Sequence, residues 1–223
     1  MKIITWNVSC LPPLINPYMN PNLNINNIIK VLIEQDADII CLQEVFDNNI
    51  RNKLIKNLNE YKYYWNDYLL GDGLITFSKY DIINSKKYKF KIFYGFDCFV
   101  RKGIISILIY DNINKKNIWI HNTHLQSDVY PFSKEKTSFN RMKQLDEINH
   151  IISGDLNIKY DIFKNLKFNE KFICNNYEIK TFPAFDLQFD YILPYFEYKI
   201  KEYEYKMLKN KYSDHYLLAL KLL

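Results

Sequence analysis

Glycine is scarce in this chain, with five in 223 residues. There is no internal repeat and no low-complexity linker. The length therefore reads as one domain over 1–223, long enough to bury a large core. Cysteine is limited to Cys10, Cys41, Cys98 and Cys174, widely separated and without a C-x-x-C pair, which argues against a zinc knuckle. Free thiols and a reducing compartment are expected. Cys41, inside an apolar run, reads as a small core residue. No stretch approaches about 18 uninterrupted apolar residues, so a membrane-spanning helix is not expected. The first residues, "MKIITWNVSCLPP", hold one Lys and a short apolar run broken at Asn7, with no cleavage site. No signal peptide is expected, and a cytoplasmic location is. Charge is not lopsided either: 30 basic against 25 acidic residues, a net +5. That bias is compatible with a phosphate-bearing partner without demanding one.

What is present is ordinary in bulk: 48% hydrophobic and 25% charged, with aromatics high at 17%. Residues 2–8 read as a buried strand. Residues 11–23 read as loop, since Pro12, Pro13, Pro17 and Pro21 are too closely spaced for a helix. Ile25, Ile28, Ile29, Leu32 and Ile33 recur at helical spacing, which predicts a helix over 24–36. A strand over 38–43 and a helix near 48–59 follow. The middle reads as strands at 61–67, 73–78, 86–94, 98–110 and 117–123. Then come a helix over 133–147, with Met142 and Leu145 inward, and a strand over 149–154. Strands at 187–194, near 198–206 and at 215–222 complete the chain. Strands interleaved with few helices favour a mixed two-sheet sandwich with outer helices.

Five polar clusters sit at the ends of apolar runs: Asn7 in "IITWNV", Glu44 in "DIICLQEV", His124 in "IHNTHL", Asp155 and Asn157 in "IISGDLNI", and Asp214 with His215 in "YSDHYLLAL". Strand ends are where a sheet protein gathers distant residues into one site. The gathered set is rich in oxygen donors and carries two imidazoles, which suits a hard divalent cation and acid–base phosphate chemistry. Glu44, at the mouth of a buried strand, is costly to bury unless paired or metal-bound. Asp155 and Asn157 are two apart, so on an extended chain both point the same way. Asp214 and His215 can supply a metal contact and a base, with carboxylates raising the His pKa. His124 can stabilise developing phosphate charge. Asp190 interrupts the apolar run "LQFDYIL" and reads as a partner for His124. Each cluster alone also has a plain reading as a cap, turn or solvated loop residue.

Together, in this order, the clusters resemble the endonuclease/exonuclease/phosphatase superfamily, also called DNase I-like, over nearly the whole chain. "GDGLITFSKYDI" resembles that superfamily's Gly-Leu strand pair, with Asp81 in place of the usual Pro. The resemblance implies an α/β fold, a four-layer α/β/β/α sandwich, and Mg²⁺-dependent phosphoester hydrolysis, with Mn²⁺ as the alternative ion. It implies metal ligation by Glu44 helped by Asn7, with Asp214 also touching metal. Asp155 would orient or deprotonate the attacking water, and Asn157 would hold it or the phosphate. His215, oriented by Asp214, would be general base or phosphate contact. His124, supported by Asp190, would stabilise the transition state. The identity of the base stays open at this level, because a metal Lewis acid plus a placed water meets the need either way.

Finer matches point to a branch. "QEVF" is similar to the segment of neutral sphingomyelinases in which Val-Phe follows the Glu. "RKG" at 101–103, "THLQSD" followed by Arg141 and Gln144-Leu145, and "FPAFDLQFDYIL" are similar to their patterns too. This implies a phospholipase C acting on a choline-type lipid phosphodiester, with Arg101, Lys102 and Asn157 contacting substrate. The alternative is a nuclease or nucleotide phosphodiesterase, which "KKYKFK" at 86–91 and "KKN" at 115–117 would suit. A third reading, an inert binder, conflicts with the intact polar set. "QLDEINHIISGDLN" leaves almost no loop, so the helix is expected to stop by about Glu147. Peripheral membrane contact is expected from Tyr63, Tyr64 and Trp65, or from Leu14, Ile15 and Tyr18, with the chain a monomer.

Overall fold

The computed structural model describes residues 1–11, 21–65, 71–91, 102–112, 115–127, 140–141, 143–144, 151–166, 172–174, 178–195 and 202–223. Two sheets stack face to face. The first contains β1 (Lys2–Cys10), β2 (Ile39–Val45), β3 (Lys62–Trp65), β4 (Ile75–Ser78), β10 (Tyr203–Leu208) and β11 (Leu217–Leu222), in the order β10-β11-β1-β2-β4-β3. The second contains β5 (Ile82–Lys89), β6 (Gly103–Asp111), β7 (Lys116–His124), β8 (Ile151–Asp155) and β9 (Asp190–Leu193), paired in chain order.

Alternation builds the layers. On β1, Ile4, Trp6 and Val8 face α1 (Pro21–Gln35) and α2 (Asn48–Asn57), joining Ile28, Leu32, Ile50 and Leu54. Ile3 faces the other way, into an interlayer of Ile39, Cys41, Ile107, Ile120, Ile151 and Leu220. A third cluster, with Leu125, Ile152, Phe163 and Tyr191, lies on the far side of the second sheet. Period-two strands carrying apolar residues on both faces require cover on both faces, and the layered sandwich supplies it. α2 opens on a sound cap, since the Asp47 side chain accepts from the amides of Asn49 and Ile50.

Both sheets are mixed, and each contains one parallel pair: β1 with β2 and β7 with β8. Parallel neighbours end at the same edge. Asn7, Glu44, His124 and Asp155 therefore share one rim of the sandwich. β9 is antiparallel to β8 and sets Asp190 opposite Asp155. β11 is antiparallel to β1, so the residues just before it, Asp214 and His215, reach the same rim.

Several boundaries differ from the sequence reading. α1 begins at Pro21, because proline is tolerated in a first helical turn, where its missing N–H would have no partner anyway. β5 begins at Ile82, held by β6 through a bulge between Ile82 and Asn84. β11 begins at Leu217, leaving His215 in the preceding turn. A one-turn helix at Tyr160–Phe163 was not expected. Residues 140, 141, 143 and 144 are helical, but the helix end at Glu147 and the placements of Met142 and Leu145 lie outside the described residues. So do Leu14, Ile15, Tyr18, Cys98 and Arg101. Cys10, Cys41 and Cys174 are free thiols.

Candidate active site

Two bulged strand ends aim the first residues. Between Asn7 and Cys10 the register of β1 and β2 shifts, and Ser9 and Glu44 take left-handed backbone, at φ 49° and 61°. Strict alternation would point Glu44 at the helices, opposite to Gln43. The bulge turns it toward Asn7 instead. Such backbone costs on the order of 1 kcal/mol or more per residue and gathers at functional sites. Asn7 Nδ2 donates to Glu44 Oε1 at 3.0 Å and to Asp155 Oδ2 at 3.2 Å, and its own Oδ1 accepts from the Ser9 amide.

Asp155 is the hub. Its Oδ2 lies 3.2 Å from Asn7 Nδ2, 3.5 Å from His124 Nε2 and 3.7 Å from His215 Nε2. Its Oδ1 accepts from the Asn157 amide at 2.9 Å. Gly154 makes this placement feasible: a Cβ there would sit 1.9 Å from Thr123 O, and its φ of 154° is one that side-chain-bearing residues rarely adopt. β7 and β8 close tightly only because that position is bare.

His215 Nδ1 lies 2.8 Å from Asp190 Oδ2, a charge-assisted hydrogen bond. This corrects the sequence reading, which paired Asp190 with His124 and Asp214 with His215. The antiparallel β8–β9 register puts Asp190 beside His215, and Asp214 instead accepts from Ser213 Oγ at 3.3 Å. Ser213 Oγ also donates to Asn7 O at 2.6 Å and accepts from the His215 amide, while Trp6 Nε1 donates to His215 O. The Phe182 ring packs on the imidazole at 4.7 Å between centroids.

His124 is handled differently. Lys102 Nζ lies 3.1 Å from its Nε2 and donates to Leu125 O at 2.8 Å. Lys102 is buried, placed by Gly103, where a Cβ would meet Tyr88 O at 2.2 Å. Asn157 has left-handed backbone, and its Nδ2 donates to Leu125 O at 3.2 Å. The extended geometry expected to align Asn157 with Asp155 is absent, because β8 ends at Asp155; the backbone amide of Asn157, not its side chain, meets the carboxylate.

The electrostatics separate the two imidazoles. Burial, then Lys102 and His215, hold His124 well below its ordinary pKa. It is neutral, Nε2 accepts from Lys102, and its Nδ1 is buried without a protein partner among the described residues. Burial pulls His215 down as well, but Asp190 and Asp155 outweigh it and raise the ring to about 10. Burial pushes Glu44 up to about 7, with Asn7 opposing and Asp214 adding to the rise. Burial likewise lifts Asp155 to about 6 against the pull of His215. Donor atoms of Asp155, Asp190 and His215 lie within 4.8 Å of one another, a spacing that can hold a metal. There Asp190 Oδ2 holds His215, while Asp190 Oδ1 is buried without a partner among the described residues. Glu44, half-buried and bonded by Asn7, adds a hard oxygen donor on the same rim, and Asp214 acts on it electrostatically.

Sequence reasoning missed the layer beneath. Gln43 Nε2 donates to Thr5 Oγ1 at 3.0 Å and to Asn122 Oδ1 at 2.8 Å. Asn122 Nδ2 donates to Leu42 O, Ile75 O and Thr76 Oγ1. This fully buried network ties the two sheets together below the rim. Its signal was available: Asn122 and Gln43 are amides at core-facing strand positions. The motif residues outside the rim also have structural work. Gly73, at φ 70°, lies under the Phe46 ring, and Val45 N donates to Gly73 O. Arg141 Nη1 donates to Gln126 O, and Gln144 Oε1 accepts from Gln126 N.

The chain belongs to the Endonuclease/Exonuclease/phosphatase family, whose model matches residues 4–195. It is 25% identical over 208 residues to a phospholipase C of Staphylococcus aureus, a match covering 76% of this chain and 62% of that protein. It is 27% identical over 178 residues to the sphingomyelinase C of Bacillus cereus, covering 69% and 52%. The chain thus spans about three fifths of the first of these curated relatives and half of the second. The beta toxin from Staphylococcus aureus, in a crystal structure with bound magnesium ions, shares the fold at a TM-score of 0.80 and 20% identity, over 100% of this chain and 99% of that one.

Proposed function

We propose that the chain hydrolyses a phosphodiester by attack of water, and that its substrate is a choline-type lipid in the manner of a sphingomyelinase. One observation carries the chemistry: His215, held through Nδ1 by Asp190, turns Nε2 toward Asp155 Oδ2 across a gap of 3.7 Å. A water bridging the two atoms from the solvent side would meet a base and a carboxylate. Asp155 orients the water and His215 Nε2 takes its proton as the water oxygen bonds to phosphorus and the phosphorus–oxygen bond to the lipid alcohol breaks; the imidazolium, stabilised by Asp190, then returns the proton to the departing oxygen. His124 and Lys102 contribute polar and positive character where phosphate charge develops. Glu44, with Asn7 and Asp214, would hold Mg²⁺, which supplies Lewis-acid polarisation of the phosphate. The fit rests on the donor set: the Glu44 carboxylate, half-buried against Asn7 Nδ2 at 3.0 Å, is a hard oxygen donor that a dication would suit. The same positive charge would lower His215 into a range where it can accept a proton.

The lipid branch is supported by the similarity to sphingomyelinase C and by the motif residues. Phe46 against Gly73 fixes the segment after Glu44, and Gln126 clasped by Arg141 and Gln144 fixes the one after His124. The test is release of phosphocholine from sphingomyelin vesicles with and without Mg²⁺. Release that stops with chelator is expected. No release, together with nicking of plasmid DNA, would overturn the lipid reading in favour of a nuclease.

A further inference from the structure

The turn Phe182–Asp186 carries large apolar side chains into solvent beside the rim. Phe182 and Leu187 close it as an isolated bridge. Pro183 and Ala184 are exposed, and Phe185 is 71% exposed, among the most exposed large hydrophobic residues described. Phe185 stacks on Phe182 at 5.6 Å, and Phe182 in turn packs on His215 at 4.7 Å. The apolar tip is thus one ring away from the imidazole. Behind the turn lies an open hollow of about 610 Å³. Pro183 and Asp186 line its turn side, and Lys206 and Lys209 line it from β10 and the residue after it. Lys180 is there too, tied to Asp186 and Glu178. Three ammonium groups therefore face two carboxylates, which leaves the hollow positive.

An exposed aromatic with lysines around it is matched by one kind of surface: apolar below, anionic above. We propose that the Phe182–Asp186 turn and the lysine-lined hollow form a docking surface for an anionic phospholipid bilayer. Phe185 enters the headgroup layer, and Lys206 and Lys209 face lipid phosphates. The inference rests on the lipid reading above and adds to it where the membrane sits: against the His215 side of the rim. Tyr63, Tyr64 and Trp65, the other expected membrane contacts, lie on the edge strand β3, where Tyr63 packs on Trp65 and Phe77.

The test is co-sedimentation with vesicles of phosphatidylcholine alone and of phosphatidylcholine mixed with phosphatidylserine, in chelator so that no turnover occurs. The chain is expected to pellet with the mixed vesicles. Phe185→Ser should weaken binding on the order of tenfold. Lys206→Gln and Lys209→Gln should each weaken it about fivefold, the effect of about 1 kcal/mol per lysine at an anionic surface. Phe185→Trp should keep binding and show a blue shift of its emission, read as a difference from wild type, when mixed vesicles are added. Hydrolysis of a soluble diester, bis(p-nitrophenyl) phosphate, should be unchanged in all four. Binding by the Ser and Gln variants equal to wild type would overturn the proposal. So would lysine variants that lose plasmid DNA but keep vesicles, which would make the hollow a nucleic-acid contact. Phe185-dependent binding without phosphocholine release upholds the docking surface and removes the lipid-hydrolase reading; release without such binding does the reverse.

Discussion

Two histidines in one small rim differ in charge state because their neighbours differ. His124 meets a lysine and stays neutral, whereas His215 meets two carboxylates and keeps its proton. Asp190→Asn tests the second half. The amide can still face Nδ1 but no longer supplies charge. The titration midpoint of His215, followed by NMR of the ring nitrogens, should fall. Diester hydrolysis should drop by about 10²–10⁴-fold, the usual worth of a positioned base. An unmoved midpoint would refute the pairing. Glu44→Gln is expected to act in two directions. Mg²⁺ affinity, measured calorimetrically, should be lost, while the metal-free chain above pH 7 should unfold at a higher temperature than wild type. Removing a half-buried carboxylate that no cation neutralises stabilises, a familiar trade between stability and function.

At the scale of elements, the rim depends on how closely strands approach. Gly154→Ala drives a Cβ into the carbonyl of Thr123 and should cost about 4 kcal/mol or more in urea unfolding, since β7 and β8 must part. Asn122→Ala should cost about 2–4 kcal/mol, because Leu42 O, Ile75 O and the Gln43 amide each lose a buried partner. The sequence made the site's membership legible, since a lone polar residue ending an apolar run marks a strand end. Asn7, Glu44, His124, Asp155, Asp190 and His215 all reach one rim for that reason. Their partners were not legible. Which imidazole receives Asp190 depends on the antiparallel register of β8 and β9, a non-local choice. The direction of Glu44 depends on a bulge in β1, and that of Asn157 on a left-handed residue just past β8. Local pattern contains neither. The hydrophobic periods of α1 and α2 were legible, while the polar edge strand β5 was only partly so, because its pairing with β6 rather than its own pattern sustains it.

For the molecule as a whole, the rim couples stability to pH. Glu44, Asp155 and His215 titrate at about 7, 6 and 10 in the folded chain, each above its ordinary 4.5, 3.8 and 6.5. A raised value means the folded state binds its proton more tightly than the unfolded state does. That stability is complete below the ordinary value and disappears as pH rises through the folded one. His124, held below its ordinary value, has the opposite sign below about pH 6.5, so the metal-free chain should lose melting temperature chiefly from about pH 6.5 to about pH 10 by differential scanning calorimetry. Saturating Mg²⁺ should recover most of the loss above pH 7 and flatten the profile. A flat profile without metal would contradict the assigned shifts.

In an interlayer made of isoleucine and leucine, dispersion and hydrophobic burial have no preferred direction of their own. The Thr5–Gln43–Asn122–Thr76 network is directional, and it sits one step beneath the rim. It acts as a key that sets the phase of one sheet against the other. Half of the rim rides on each sheet, Asn7 and Glu44 on the first and His124, Asp155 and Asp190 on the second. A slip of one residue would move these halves past each other by about 3.3 Å, more than the length of any hydrogen bond that joins them.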